Sequence, residues 1–287
     1  MQLPLRLRRP GVTPGHVPSP VTVMSTRAPK KWGILLLLVS TLSGQVVFSR
    51  RVYREQGPSY QQVWNWNPAG NSLTQLTDSP RDHFLPVCSG RRILFVSPEP
   101  WQANASQWSF DRDTRNEQAI GPVPPEAGQE RAGIKGCNVS AVAGPLEACA
   151  KGGELSVSRG GKQTGHVLVG NDDLPIESLS WSPSGKWLLV GTLGTETNST
   201  SPQSDLFVLE AAAMKLIKAG SGNFEAWLPG RDEFFYTSPR DMAALGGARR
   251  PRGVWVEHLM VFDPASGKTT AITSGVTNNK QPRVCEP

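Results

Sequence analysis

Two stretches of this chain repeat one another over twelve residues, and that repeat constrains the fold more than any other feature. Trp181-Ser-Pro-Ser-Gly-Lys-Trp-Leu-Leu-Val-Gly-Thr192 stands 46 residues ahead of Trp227-Leu-Pro-Gly-Arg-Asp-Glu-Phe-Phe-Tyr-Thr-Ser238. A third copy lies upstream as Pro86-Val-Cys-Ser-Gly-Arg-Arg-Ile-Leu-Phe-Val-Ser97, and Ala143 to Ala150 is a weaker fourth. Each reads as a hairpin. A strand ends in an aromatic residue or proline, a Pro/Gly turn follows, and an apolar run such as Leu188-Leu-Val190 returns. Glycine takes the positive-φ place in such turns, and a short continuous apolar run suits a strand buried on both faces.

A second unit follows each hairpin: an apolar strand, a polar Gly-bearing turn, then an apolar residue beside Thr or Gly. Its copies start at Trp64, Trp108, Leu155, Leu206 and Leu259, spaced 44, 47, 51 and 53 residues apart. Two hairpins per period make one four-stranded antiparallel sheet. Such a sheet buries both faces only by stacking against copies of itself, which is the logic of a propeller blade. The 29 Gly and 25 Pro, scattered without a three-residue period, fit many short strands and turns.

The Trp-Ser-Pro-Ser-Gly-Lys-Trp-Leu-Leu-Val block resembles the Ser-Pro-Asp-Gly-Lys core of the TolB-like propeller repeats. Gln75-Leu-Thr77 and Val261-Phe-Asp-Pro-Ala-Ser-Gly267 resemble the remaining strands of the same repeat. The turn aspartate of that repeat is Ser184 here and is missing at Gly230. The resemblance spans residues 59–287 and implies an all-β propeller of about five four-stranded blades, where the family usually has six. It also implies envelope-linked protein interactions. Asn278 to Cys285 resembles Arg81 to Cys88 and then the chain stops, so either an N-terminal strap such as 52–62 completes the last blade or the ring is open or incomplete.

The N-terminus indicates a compartment. Lys30-Lys31 precede an apolar run from Trp32 to Phe48, and Arg50-Arg51 close it. A basic start followed by an apolar run is the pattern of an export signal. Thr41-Leu-Ser43 and Val47-Phe-Ser49 are the candidate small-residue cleavage sites. Left uncut, residues 32–48 are a short membrane tether. The expected organisation is therefore a basic, Pro-rich stretch 1–29 with Met24 as an alternative start, a signal or anchor helix 30–49, a linker 50–58 and a propeller 59–287. The product is expected in the periplasm or otherwise outside the cytoplasm. The net charge of +6 belongs to the leader: residues 1–56 hold nine Lys/Arg and one acid, leaving 21 and 23 for the remainder. A nucleic-acid partner is therefore not expected. Four cysteines allow three disulfide pairings, of which Cys137 with Cys149 closes the shortest loop.

Motifs for chemistry are weak. The chain has no His-Glu-x-x-His and no Gly-x-Ser-x-Gly elbow. Ser266-Gly-Lys-Thr-Thr270 lacks the first glycine of a phosphate loop, since Phe262 stands there. Asp111-Arg-Asp113 begins like a calcium loop but meets Asn116 and Pro122 at the sixth and twelfth places. His83, His166 and His258 fall at different repeat positions, too scattered for the His-based metal site of related sugar-cleaving propellers. The tryptophans Trp181, Trp187 and Trp227 recur at fixed repeat positions, as core residues do. No cofactor, metal or catalytic residue is expected. Asn104-Ala-Ser, Asn138-Val-Ser and Asn198-Ser-Thr are acceptor sequences for glycosylation only in a eukaryotic host.

The remaining candidates are positional. The connections leading into the inner strands gather at one mouth of the central channel, and loops on a rigid scaffold commonly carry function. Asp82, Glu177, Asn223 and Asn279 stand at equivalent places there, with His83, Asp173 and Lys280 beside them. The expectation is a non-enzymatic envelope module that binds a protein or peptide at this mouth. Its rivals are a sensor propeller serving a separate catalytic chain, and a carbohydrate lyase or hydrolase built on the mouth residues.

Overall fold

The computed structural model describes residues 44–123, 134–170, 174–194, 203–246 and 252–285. All regular structure among them is β. The chain opens with β1 (Gln45–Val52), β2 (Gln61–Asn67) and β3 (Ser72–Gln75), followed by β4 (Phe84–Ser89), β5 (Arg92–Ser97), β6 (Ser106–Asp111) and β7 (Glu117–Pro122). Next come β8 (Val139–Ala143), β9 (Leu146–Lys151), β10 (Glu154–Arg159) and β11 (Lys162–Leu168). Then follow β12 (Ile176–Trp181), β13 (Trp187–Leu193), β14 (Ser204–Glu210), the long β15 (Lys215–Trp227) and β16 (Phe234–Thr237). A separate ribbon of β17 (Asp241–Leu245) and β18 (Arg252–Val256) precedes β19 (Leu259–Asp263), β20 (Lys268–Ala271) and β21 (Thr277–Cys285).

These strands form five four-stranded blades. Blade I has the order β21-β1-β2-β3, blade II β4 to β7, and blade III β8 to β11. The 13-residue β15 serves two blades: its first half closes blade IV behind β12, β13 and β14, and its second half opens blade V ahead of β16, β19 and β20. The five repeat starts read from the sequence all fall on the third strand of a blade: β2, β6, β10, β14 and β19. The hairpin glycines Gly90, Gly185 and Gly230 sit at φ of 58°, 71° and 68°, where a Cβ is disfavoured. The fold is thus the all-β propeller that the repeat predicted.

Blade-to-blade packing explains the sequence of each strand. In β13, Leu188 and Val190 face a cluster with Ala148, Leu155 and Ile176, while Trp187 and Leu189 face Phe234, Tyr236 and Phe262. A run buried on both faces therefore has to be apolar throughout. Each fully buried Leu or Val contributes roughly 1.5–3 kcal/mol. The repeated tryptophans reach back one blade: Trp181 Nε1 donates to Ala141 O at 3.2 Å, and Trp227 Nε1 to Ser180 O at 3.0 Å.

Blade I corrects the expected domain boundaries. Residues 45–49 belong to β1, not to a signal or anchor helix, and the expected linker 50–58 begins inside the same strand. The closing strap is 45–52 rather than 52–62. The apolar character that made Val46, Val47 and Phe48 look like a continuing export signal has a structural cause. Val46 and Phe48 pack against Leu228, Phe235 and Leu259, while Val47 packs the other way against Ile93, Phe95 and Phe110. β1 is hydrogen-bonded on both sides, to β2 and to β21, so the N-terminal part of the fold completes the last blade. The remainder of the expected signal, 30–43, and the stretch 1–29 lie outside the described residues.

Four apolar clusters join the blades in the order III, IV, V, I, II. Among the described residues no cluster joins blade II to blade III. Val87 and Val142, on the inner strands of those two blades, are 47% and 61% exposed. The apolar clusters of the described residues therefore continue through the blade where the two ends of the chain meet. Two disulfides complete the frame. Cys137–Cys149 staples blade III, and Cys88–Cys285 ties the inner strand of blade II to that of blade I.

Candidate functional site

Four of the five inner strands carry an irregularity, the exception being the regular β8. The pairing slips between Phe84 and Val87 in β4, between Ile176 and Ser178 in β12, and between Asn223 and Ala226 in β15. In β21 the slip falls between Lys280 and Arg283, opposite Ser49 and Val47. At three of these bulges a non-glycine residue is held at positive φ: Leu85 at 52°, Phe224 at 58° and Gln281 at 54°. Such a conformation costs an L-residue about 1–2 kcal/mol. Bulges of this kind re-aim side chains and gather beside functional sites.

The bulges of blades V and I border a recess of about 430 Å³. β15 contributes Asn223, Phe224 and Glu225, β21 contributes Lys280 and Gln281, and Arg240 and Glu257 flank the β17–β18 ribbon. Phe224 is 39% exposed although it is a large apolar side chain. Gln281 Oε1 accepts a hydrogen bond from Leu85 N at 2.8 Å, locking the bulge of β21 to that of β4. Glu257 is buried. Its Oε2 accepts from Asn278 Nδ2 at 3.0 Å, and Arg240 Nε lies 3.7 Å from its Oε1. Glu225 accepts from Ser178 Oγ at 2.6 Å, which links the inner strands of blades IV and V.

Lys280 differs from its neighbours. No carboxylate stands within ion-pair distance of its ammonium among the described residues. Burial holds it below the usual lysine value; Glu257 and Glu99 oppose this, while Arg240 and Arg51 push the same way as burial. A half-buried ammonium without an ion pair favours an anionic visitor.

The sequence-predicted residues separate into three groups. Asn223 and Lys280 line the recess. Asp82, His83 and Asn279 serve the frame instead. Asp82 is fixed by Arg51 at 2.8 Å and by the backbone N–H of Gln61. Asn279 is fully buried and donates to Glu257 O and to Thr277 Oγ1. His83 is also fully buried, against Phe95 at a ring separation of 4.3 Å. The expectation of a mouth ligand is therefore corrected for His83 and Asn279, whose polarity satisfies interior partners. Glu177 is exposed at the bulge of β12, away from the recess lining, and Asp173 lies outside the described residues.

His83 shows how a polar residue can be structural. Ser79 Oγ donates to Glu117 Oε2 at 2.9 Å and Thr77 Oγ1 donates to Gln62 Oε1 at 2.9 Å, while His83 Nε2 and Nδ1 lie 3.1 Å and 2.7 Å from those two hydroxyl oxygens. Glu117 lies 3.7 Å from Nε2 and would favour a cation. Burial outweighs it, and with Arg81 holds the imidazole down to about 3. Both ring nitrogens are held by buried hydroxyls and serve the interior of the blade.

Phe224, Gln281, Arg240 and Glu257 escaped the sequence reading. A signal existed for one of them. Gln281-Pro282 and Leu85-Pro86 both place the positive-φ residue before a proline, but an ungapped match of 278–285 on 81–88 sets them one position apart.

No protein family and no curated protein matches the chain in sequence. Among solved structures it is similar to TolB from Acinetobacter baumannii, at 14% identity and a TM-score of 0.27, over 79% of this chain and 52% of that one. It is similar to the apo AtxE2 isopeptidase, at 11% identity and 0.32, over 78% and 38%. The tricorn protease gives 13% and 0.28, over 81% and 30%. The chain thus spans about half the length of TolB and less of the other two. The propeller assignment stands on the order of the sheets and their closure. Both TolB and enzymes stand among these neighbours, and the disulfide pair suits an oxidising, extracytoplasmic compartment.

Proposed function

We propose that this chain is an exported, non-enzymatic propeller that binds a protein or peptide partner in the cell envelope through the recess between blades V and I. The observation that carries this reading is the pairing of Phe224 with Lys280. An exposed aromatic ring on a strained backbone lines the same recess as a half-buried ammonium that makes no ion pair among the described residues. That combination offers an apolar contact and an anion site together, as a peptide with an acidic group requires. The carboxylates of the recess support binding rather than catalysis. Glu257 is committed to Asn278 and Arg240, and Glu225 to Ser178, so each serves the frame.

The test is capture of partners from envelope fractions with the disulfide-bonded protein. Phe224→Ala and Lys280→Met should each remove the same captured species, while Lys162→Ala on the outer strand β11 should leave capture intact. A captured species retained by both recess variants would sink the proposal.

A further inference from the structure

The closing strand bears on where the mature chain begins. Gly44 is buried at the seam of the ring, and a Cβ there would collide with the Pro229 ring and lie 3.2 Å from Cys285 O. Immediately after it, Val46, Val47 and Phe48 are fully buried, and Ser49 Oγ donates to His83 O at 2.8 Å in the interior. β1 lies between β2 and β21, so neither of its edges is free. The fold therefore needs the chain from Gly44 onward.

This requirement decides between the two small-residue sites. Cutting behind Ser49 would delete five of the eight residues of β1, remove four of its seven residue pairs with β21 and open two apolar clusters at once. Cutting behind Ser43 leaves every described strand whole. The same requirement weighs against a permanent anchor. With 45–48 committed to the sheet, the apolar run is reduced to Trp32–Ser43. Even fully helical at 1.5 Å per residue this reaches about 18 Å, against about 30 Å of membrane hydrocarbon. It does match the apolar core of a cleavable signal, about 7–15 residues behind a basic start.

We propose that the precursor is cut between Ser43 and Gly44, by a signal peptidase that selects the small side chains of Thr41 and Ser43. The proposal rests on the export reading above. Water is the co-reactant: the Ser43–Gly44 peptide bond breaks, hydroxide adds to the Ser43 carbonyl, and the protons leave Gly44 as a free α-ammonium group. The cut precedes folding, since the buried Gly44 is accessible only while the chain is extended. The propeller is then released rather than tethered.

The experiment expresses the full chain in a secreting bacterium, separates cytoplasm, membrane and extracytoplasmic fractions, and determines the N-terminus and intact mass. The expected product is extracytoplasmic, oxidised, and begins at Gly44. Ser43→Trp, which places a bulky side chain at the scissile bond, should abolish that product and leave uncut precursor on the membrane. An exported chain that keeps residues 32–43, or one that begins at Arg50, overturns the cleavage while export stands. A full-length chain with reduced cysteines in the cytoplasm overturns export, and the cleavage with it.

Discussion

Replacing both Cys88 and Cys285 by serine tests whether the ring is held where its two ends meet. The bridge joins residues 197 apart, whereas Cys137–Cys149 joins residues 12 apart. In the chain-entropy treatment these separations correspond to about 5 and about 3 kcal/mol of denatured-state restriction at 25 °C. At roughly 2–4 °C per kcal/mol for a domain of this size, losing the long bridge should lower Tm by roughly 10–20 °C. The short bridge should cost about half as much. Urea unfolding of the oxidised wild type, C88S/C285S and C137S/C149S measures both, and the long-loop variant should also show the steeper denaturant slope because its denatured chain is more open. A local signature should accompany the global one. Among the described residues blade II shares an apolar cluster with blade I alone, so amides of β4 to β7 should gain the most hydrogen exchange. Equal or greater destabilisation from C137S/C149S would refute the reasoning, because loop length would then not govern the effect.

Two further outcomes follow from the site. The unfolded His83 imidazole takes a proton near 6.5, whereas the buried one resists until about 3, so acid favours unfolding across that window. Stability should fall as pH drops through it, by at most about 1.4 kcal/mol per pH unit from this residue. His83→Gln should flatten that part of the profile in pH-dependent urea titrations, and an unchanged slope would count against a neutral buried ring. At Phe224, with φ at 58°, Phe224→Gly should be about 1 kcal/mol more stable than Phe224→Ala, since both lose the ring and only glycine relieves the backbone. Equal stabilities would mean that the bulge is not strained.

Most of the architecture was legible because a propeller writes itself into the sequence several times. Five third strands and three hairpin glycines share a period, and a repeated error would have been needed to hide them. What escaped the reading involved single copies. β1 was invisible as a strand because it is buried on both faces: Val46 and Phe48 serve one cluster and Val47 the other, which erases the alternation that marks a half-buried strand. Directly behind a basic, apolar leader, such a strand is indistinguishable from more leader. The recess was half legible for a related reason. Asn223 and Lys280 were found by their place in the repeat. Arg240 and Glu257 flank the β17–β18 ribbon, an insertion with no counterpart among the described residues of the other blades.

The misreading of His83 and the reading of Lys280 came from one argument, that polar residues ahead of an inner strand face the channel. The structure separates them by register. His83 stands ahead of the bulge of β4, where its imidazole turns inward to the Thr77 and Ser79 hydroxyls. Lys280 stands at the bulge of β21, where the extra residue removes the alternation and Gln281 takes positive φ. A bulge shifts every later side chain to the opposite face of its strand. Which polar residue of a propeller mouth reaches solvent is therefore set by the position of the bulge, a backbone property carried in part by the residue before proline at Leu85 and Gln281. The repeat locates the mouth, and the bulges decide which of its side chains reach solvent.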